Sequence, residues 1–211
     1  LPDMYWKNAD TSSGPGIKLP FEMHKIVEIY PRNIIMIAGT TNAGKTALLL
    51  NLIKLNMHQF EIHYFTSELS EQELRKRISK FGDDIEWQFH PHERNGNFDS
   101  VIAPEAINII DYLEPPSGEF YAISDQITAI HSKLTTGIAI IAIQKKRKAE
   151  LGRGAEFSAE RARLYLSMDN GRLKIVKAKN WRTDTNPNNK EYTFKLVDGC
   201  KFMNVDTKND G

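Results

Sequence analysis

Apolar residues along the chain fall into two alternating patterns. Short, nearly continuous runs at 34–38 (IIMIA), 61–66 (EIHYFT), 106–111 (AINIID) and 138–143 (IAIIAI) have the length and β-branched content of strands buried on both faces. Between them lie segments of helical period, from Gly44 to about Met57, at 70–81 and at 119–135. This alternation predicts a mostly parallel central sheet covered by helices on both faces. After Gln144 the pattern changes, because 162–168, 172–178 and 190–197 follow one another without helices. Asp169-Asn170-Gly171 and Asp198-Gly199 read as hairpin turns, so an antiparallel C-terminal extension of the sheet is expected. Residues 1–20, rich in Pro, Gly, Ser and Asp, read as a linker or arm, and 21–211 as one α/β domain.

Composition narrows the class. A chain of 211 residues can bury a large core. It begins with Leu1 instead of Met, as a fragment of a longer protein would. A single cysteine, Cys200, excludes a disulfide framework within the chain and favours a reducing compartment, with the cytoplasm as the default. No apolar run approaches the roughly 20 residues of a membrane helix, and the N-terminus has no signal-peptide core. A soluble protein with no membrane partner is therefore expected. The net charge is +1, but residues 145–182 hold twelve Lys or Arg against four Asp or Glu, leaving sixteen against twenty-three elsewhere. Charge alone leaves that window either a solvated surface or an anion-binding one.

The first chemistry-bearing motif is Gly39-Thr40-Thr41-Asn42-Ala43-Gly44-Lys45-Thr46, which matches G-x-x-x-x-G-K-[ST] between an apolar strand and a helix. The glycines let successive backbone N–H groups curl inward around phosphate oxygens, and the helix start adds its positive dipole end. Lys45 would reach the β and γ phosphates, and the Thr46 hydroxyl would ligate Mg²⁺. Asp111, ending a buried strand, is the second expected Mg²⁺ residue, acting through water. Tyr112 follows it where many P-loop hydrolases have their catalytic glutamate, so the base must come from another element. Glu68, immediately after the 62–66 strand, is the preferred base and Glu114 the alternative. Gln144 ends another buried strand and is expected to sense the γ phosphate.

Taken together, AGTTNAGKT, FTSELS, NIIDYLE, IAIIAIQKKRK and KAKNWR resemble the RecA-like P-loop ATPase core, most closely the C-terminal motor domain of DnaB-type replicative helicases and related phage or prophage ATPases. The resemblance spans roughly residues 20–197. It implies a catalytic glutamate after the second strand (Glu68), a metal-coordinating Asp (Asp111) and a strand-end Gln (Gln144) ahead of a flexible DNA-binding loop. It further implies ATP and Mg²⁺ as cofactors, and a hexameric ring or filament with ATP between subunits. A basic K-x-R pair then reaches the neighbour's γ phosphate. Lys179 and Arg182 are the candidates for that pair, spaced one residue wider than the family pattern, with Lys177 as a competitor.

Position gives the basic window a meaning that charge alone does not. QKKRKAELGRGAEF places Lys145, Lys146, Arg147, Lys148 and Arg153 directly after Gln144, with Gly152 and Gly154 for mobility, as contact with nucleic-acid phosphates requires. The expected activity is an ATP-hydrolysing motor core acting on DNA, preferably single-stranded, in replication or recombination, together with other replication proteins. The alternative is a RecA-like ATPase switch or partner-loading module with slow hydrolysis and no unwinding. His90-Pro91-His92 reads as a surface loop without a third metal ligand, and Cys200 as a packing residue.

Overall fold

The computed structural model describes residues 4, 7, 9–11, 15–114, 121–152 and 154–204. The strands are β1 (Ile34–Gly39), β2 (Ile62–Thr66), β3 (His90–Glu93), β4 (Ile107–Asp111), β5 (Ile138–Gln144), β6 (Ala162–Asp169), β7 (Arg172–Ala178), β8 (Glu191–Val197) and β9 (Lys201–Asn204). They form one sheet in the order β3-β2-β4-β5-β1-β6-β7-β8-β9. Pairings from β3 to β6 are parallel, whereas β6–β7, β7–β8 and β8–β9 are antiparallel. The helices are α1 (Lys45–Asn56), α2 (Glu71–Ser79), α3 (Tyr121–Lys133) and the short α4 (Ala155–Ala159).

Strand alternation explains how both faces are covered. Ile35 and Ile37 of β1, Tyr64 of β2 and Ile109 of β4 pack with Leu48, Leu49, Leu52 and Ile53 of α1 and Leu74 of α2. Ile34 and Met36 point the other way, with Phe65, Ile110 and Ile141, against Ile123, Ile127 and Ile130 of α3. Each fully buried side chain of this size contributes about 1.5–3 kcal/mol relative to exposure, so α1 is a fixed platform behind the loop that precedes it. Asn108, fully buried between strands, is satisfied by the backbone of Ala103, Ala106 and Ile138.

Three features lie outside the apolar pattern. The segment containing His90 and His92 is not a loop but the edge strand β3, paired in parallel with β2 and exposed at every residue. Its Pro91 fits an edge, where a missing N–H removes no interior ladder bond. Among the described residues the packed structure extends back to Ile17: Ile17 and Leu19 are buried, and Asn56 of α1 exchanges hydrogen bonds with the Lys18 backbone, both at 2.8 Å. At the far end, β8 and β9 form a hairpin whose buried Cys200 donates its thiol to the Lys80 carbonyl at 3.2 Å, in keeping with a packing role. Among the described residues no helix is long and apolar enough to cross a membrane.

Candidate nucleotide site

The loop after β1 emerges where Gly39 lies between Gln144 of β5 and Met168 of β6 in register. The Thr40 N–H donates to the Met168 carbonyl, and the Ala43 N–H to the Thr40 carbonyl, each at 3.2 Å. Glycine is required at both ends for different reasons. A Cβ on Gly39 would lie 2.6 Å from Lys45 Cγ, because the lysine stem folds back across it. Gly44, the N-cap of α1, has φ +95°, in the region that L residues rarely adopt. Lys45 is only 8% exposed, and its Nζ donates to the carbonyls of Gly39 and Thr40 at 3.2 Å. Burial pushes its pKa down, while the charges of Asp111 and Glu68 oppose that shift.

Asp111 closes the floor of the site. Its Oδ2 accepts from the Thr46 hydroxyl and from the Tyr64 hydroxyl, both at 2.8 Å. Its Oδ1 is buried and has no hydrogen-bond partner among the described residues. Burial raises the pKa of this carboxyl, opposed by the two hydroxyls and by Lys45. An orphaned, buried carboxylate oxygen beside a threonine hydroxyl is the donor chemistry that Mg²⁺ takes, and a divalent cation would favour the ionised form. Thr46 and Asp111 therefore fit the metal role. Asp111→Asn removes the charge while keeping the shape, and it is expected to weaken Mg²⁺-dependent nucleotide binding at least about tenfold, read by titrating Mg²⁺ against bound nucleotide.

Glu68, Gln144 and Lys45 line one cavity of about 250 Å³ with Thr41, Asn42 and Thr46. The segment after β2 is held in place because the Ser67 N–H donates to the Asp111 carbonyl at 3.1 Å and the Glu68 N–H to Thr66 Oγ1 at 3.2 Å. The capping box of α2 is made by Ser70 and Glu73, which leaves the Glu68 carboxylate outside the cap. Burial and the Asp111 charge raise the Glu68 pKa, while Lys45 and Arg77 lower it. Three contributors were not foreseen. Tyr64 lay inside an apolar run, although a buried phenol needs a hydrogen-bond partner and Asp111 supplies it. Arg77 of α2 lines the cavity, and its charge reaches Glu68 and Asp111. Leu196 and Gly199 bring the β8–β9 hairpin over the loop, with Leu196 Cδ2 only 3.2 Å from where a Gly44 Cβ would stand.

No family model and no curated protein matches the chain. Among solved structures it is similar to the crystal structure of the KaiC-like protein PH0186 from the hyperthermophilic archaeon Pyrococcus horikoshii OT3. The TM-score is 0.67 at 16% identity, over 90% of this chain and 97% of that one. The fold is RecA-like. At that identity the likeness carries the architecture alone: a mostly parallel sheet, helices on both faces and antiparallel C-terminal strands.

Within the RecA-like frame the other expected residues separate. Glu114 does not line the cavity, although its charge is felt at Glu68. Lys145 differs from expectation. Its side chain is 1% exposed, and its Nζ pairs with Asp169 at 2.7 Å and donates to Ser167 Oγ and the Ala149 carbonyl at 2.9 Å. An ammonium committed in this way is not available to nucleic-acid phosphates; it ties the loop's start to β6. Lys145→Ala is expected to lower stability by about 1–3 kcal/mol, read by denaturant unfolding. Lys146, Arg147 and Lys148 remain exposed. Gly152 is anchored, since its N–H donates to the Tyr165 hydroxyl at 2.9 Å. Arg153 lies outside the described residues.

Lys179 and Arg182 follow β7, which runs antiparallel to β6 with Ala178 opposite Leu164, at the end of the sheet away from the phosphate loop. Lys179 is exposed, while Arg182 approaches Glu28 at 3.7 Å. Neither reaches the loop of its own chain. Lys177 donates to the Ala159 carbonyl at 2.6 Å and so is engaged within the fold. His63 joins His90 and His92 in a stacked imidazole row, yet no group of three or more metal-ligating side chains forms among the described residues.

Proposed function

We propose that the protein binds ATP with Mg²⁺ at the phosphate loop and hydrolyses it. The observation that carries this reading is Asp111, buried and bonded to Thr46, with one oxygen unpartnered, in a site that also holds Lys45 and Glu68. The loop N–H groups and Lys45 hold the β and γ phosphates, and Thr46 and Asp111 hold the metal. Bound Mg²⁺ offsets the negative charge of the transferring phosphoryl group. Glu68 takes the proton of the attacking water, and burial with the Asp111 charge raises its pKa, which makes it a stronger base than an ordinary glutamate. Gln144 donates to the γ phosphate, and its neighbours along the chain are the exposed Lys146, Arg147 and Lys148.

That adjacency supports coupling to single-stranded DNA, as in a DnaB-like motor, and we include it in the proposal. Three cations at a loop tip contact backbone phosphates and carry no base preference. Neutralising Lys146, Arg147 and Lys148 together is expected to weaken single-strand binding and to reduce the log–log salt slope by about 2, at roughly 0.7 per phosphate contact. Unchanged affinity and slope would remove DNA from the reading and leave an ATPase switch. Lys179, on the far end of the sheet, acts on the γ phosphate of another copy, which requires a head-to-tail homo-oligomer, closed as a ring or open as a filament.

A further inference from the structure

The cations of the basic window do not share one surface. Lys146, Arg147 and Lys148 follow the C-terminal end of β5, whereas Arg161 and Arg163 sit at the start of β6, where Ala162 pairs with Ile34. At that second end lies a cavity of about 650 Å³, lined by Arg32, His131, Arg161, Arg163, Lys179 and, as the one acid among the described lining residues, Glu160. Among the described residues none of the three arginines, nor Lys179, forms an ion pair with a carboxylate. Arg161 donates to Thr128 Oγ1 at 2.8 Å, the Glu160 carboxylate accepts from the Ser124 hydroxyl at 3.5 Å, and Lys177 Nζ donates to the Glu160 carbonyl at 3.4 Å. The same positive field is felt by two neighbouring groups. Arg32, Arg161 and Arg163 help burial to lower the His131 pKa, and Lys179 and Arg163 do the same at Lys177.

We propose that this cavity is a second anion site, held by Arg32, Arg161 and Arg163, for a small molecule carrying two or three linked phosphates, separate from the phosphate loop at the opposite end of the sheet and leaving Lys179 at its edge for the γ phosphate of another copy. Unpaired guanidinium groups gathered around one concavity repel one another, and an anion is what relieves that repulsion. Arginine matches phosphate oxygens with its planar fork, and three arginines converge here. The volume lies within the range of small-ligand pockets. An anion seated there would neutralise the arginines facing His131 and so raise the imidazole pKa.

The test is calorimetric titration of the full chain carrying Lys45→Ala, which disables the phosphate loop, with inorganic tripolyphosphate. His131 is followed by NMR at each pH. The expected result is one site per chain, at least tenfold weaker with Arg32→Gln and Arg163→Gln together and unchanged with Lys195→Gln, and a His131 titration that moves upward on saturation. No binding, binding indifferent to the double substitution, or a His131 titration that stays put would overturn the proposal. The His131 readout uses the unaltered cavity and so does not depend on how the double variant folds. A thymidine oligonucleotide that moves His131 where tripolyphosphate does not would overturn the small-ligand assignment.

Discussion

Glu68→Gln is expected to leave ATP bound and to reduce its turnover by about 10² or more, the usual contribution of a positioned general base. The substitution keeps the size and hydrogen-bonding shape of the side chain and removes only its ability to accept the water's proton. Placement makes Glu68 the candidate: it lines the same cavity as Lys45 and Thr46, and its backbone is tied to Thr66 of β2. The acid limb of the pH profile is a second check. A base must be deprotonated, so turnover falls as pH drops through the Glu68 pKa, which burial and the Asp111 charge lift above the ordinary glutamate value. Turnover should therefore begin to fail at a higher pH than an unperturbed glutamate would cause. A silent Glu68→Gln would transfer the role to Glu114.

Lys45→Ala is expected to weaken nucleotide binding by about 3 kcal/mol or more, roughly 10²-fold, through loss of charge-assisted hydrogen bonds to two phosphates in a buried setting. Equilibrium binding of ATP measures it directly. The loss should come without unfolding. Burial holds the Lys45 pKa below the usual lysine value, which means the folded protein binds that proton less tightly than the unfolded chain does. The charged lysine therefore opposes folding at neutral pH, and its removal relieves that penalty. Nucleotide binding that survives Lys45→Ala intact, with the fold intact, would contradict the reading of the phosphate loop.

How much of this was legible in the sequence depends on whether a residue's role is local. The strand–loop–helix around Gly39 to Thr46 is set by neighbours in sequence, and the buried runs of β1, β4 and β5 declare themselves by continuous apolar character. β3 does not, because four exposed residues with a proline carry no periodicity and become a strand only when β2 pairs with them. Lys145 looked like one of a run of loop cations, but the end of β5 carries it to the buried Ser167 and the half-exposed Asp169 of β6, contacts across 22 and 24 residues. Tyr64 and Arg77 join the site through the sheet order and the packing of α2, which motif spacing does not encode. The β8–β9 hairpin reaches the loop only because the sheet continues past β6, bringing Leu196 to Gly44.

The measurement that tests the central claim most directly is steady-state ATP hydrolysis by the unaltered chain, with and without Mg²⁺ and single-stranded DNA, over a range of protein concentrations. The account predicts turnover that needs Mg²⁺, rises with DNA, grows more than in proportion to protein, and is absent in Lys45→Ala. Tight ATP binding with no turnover under any of these conditions would contradict it, leaving a nucleotide-binding switch in place of a hydrolase.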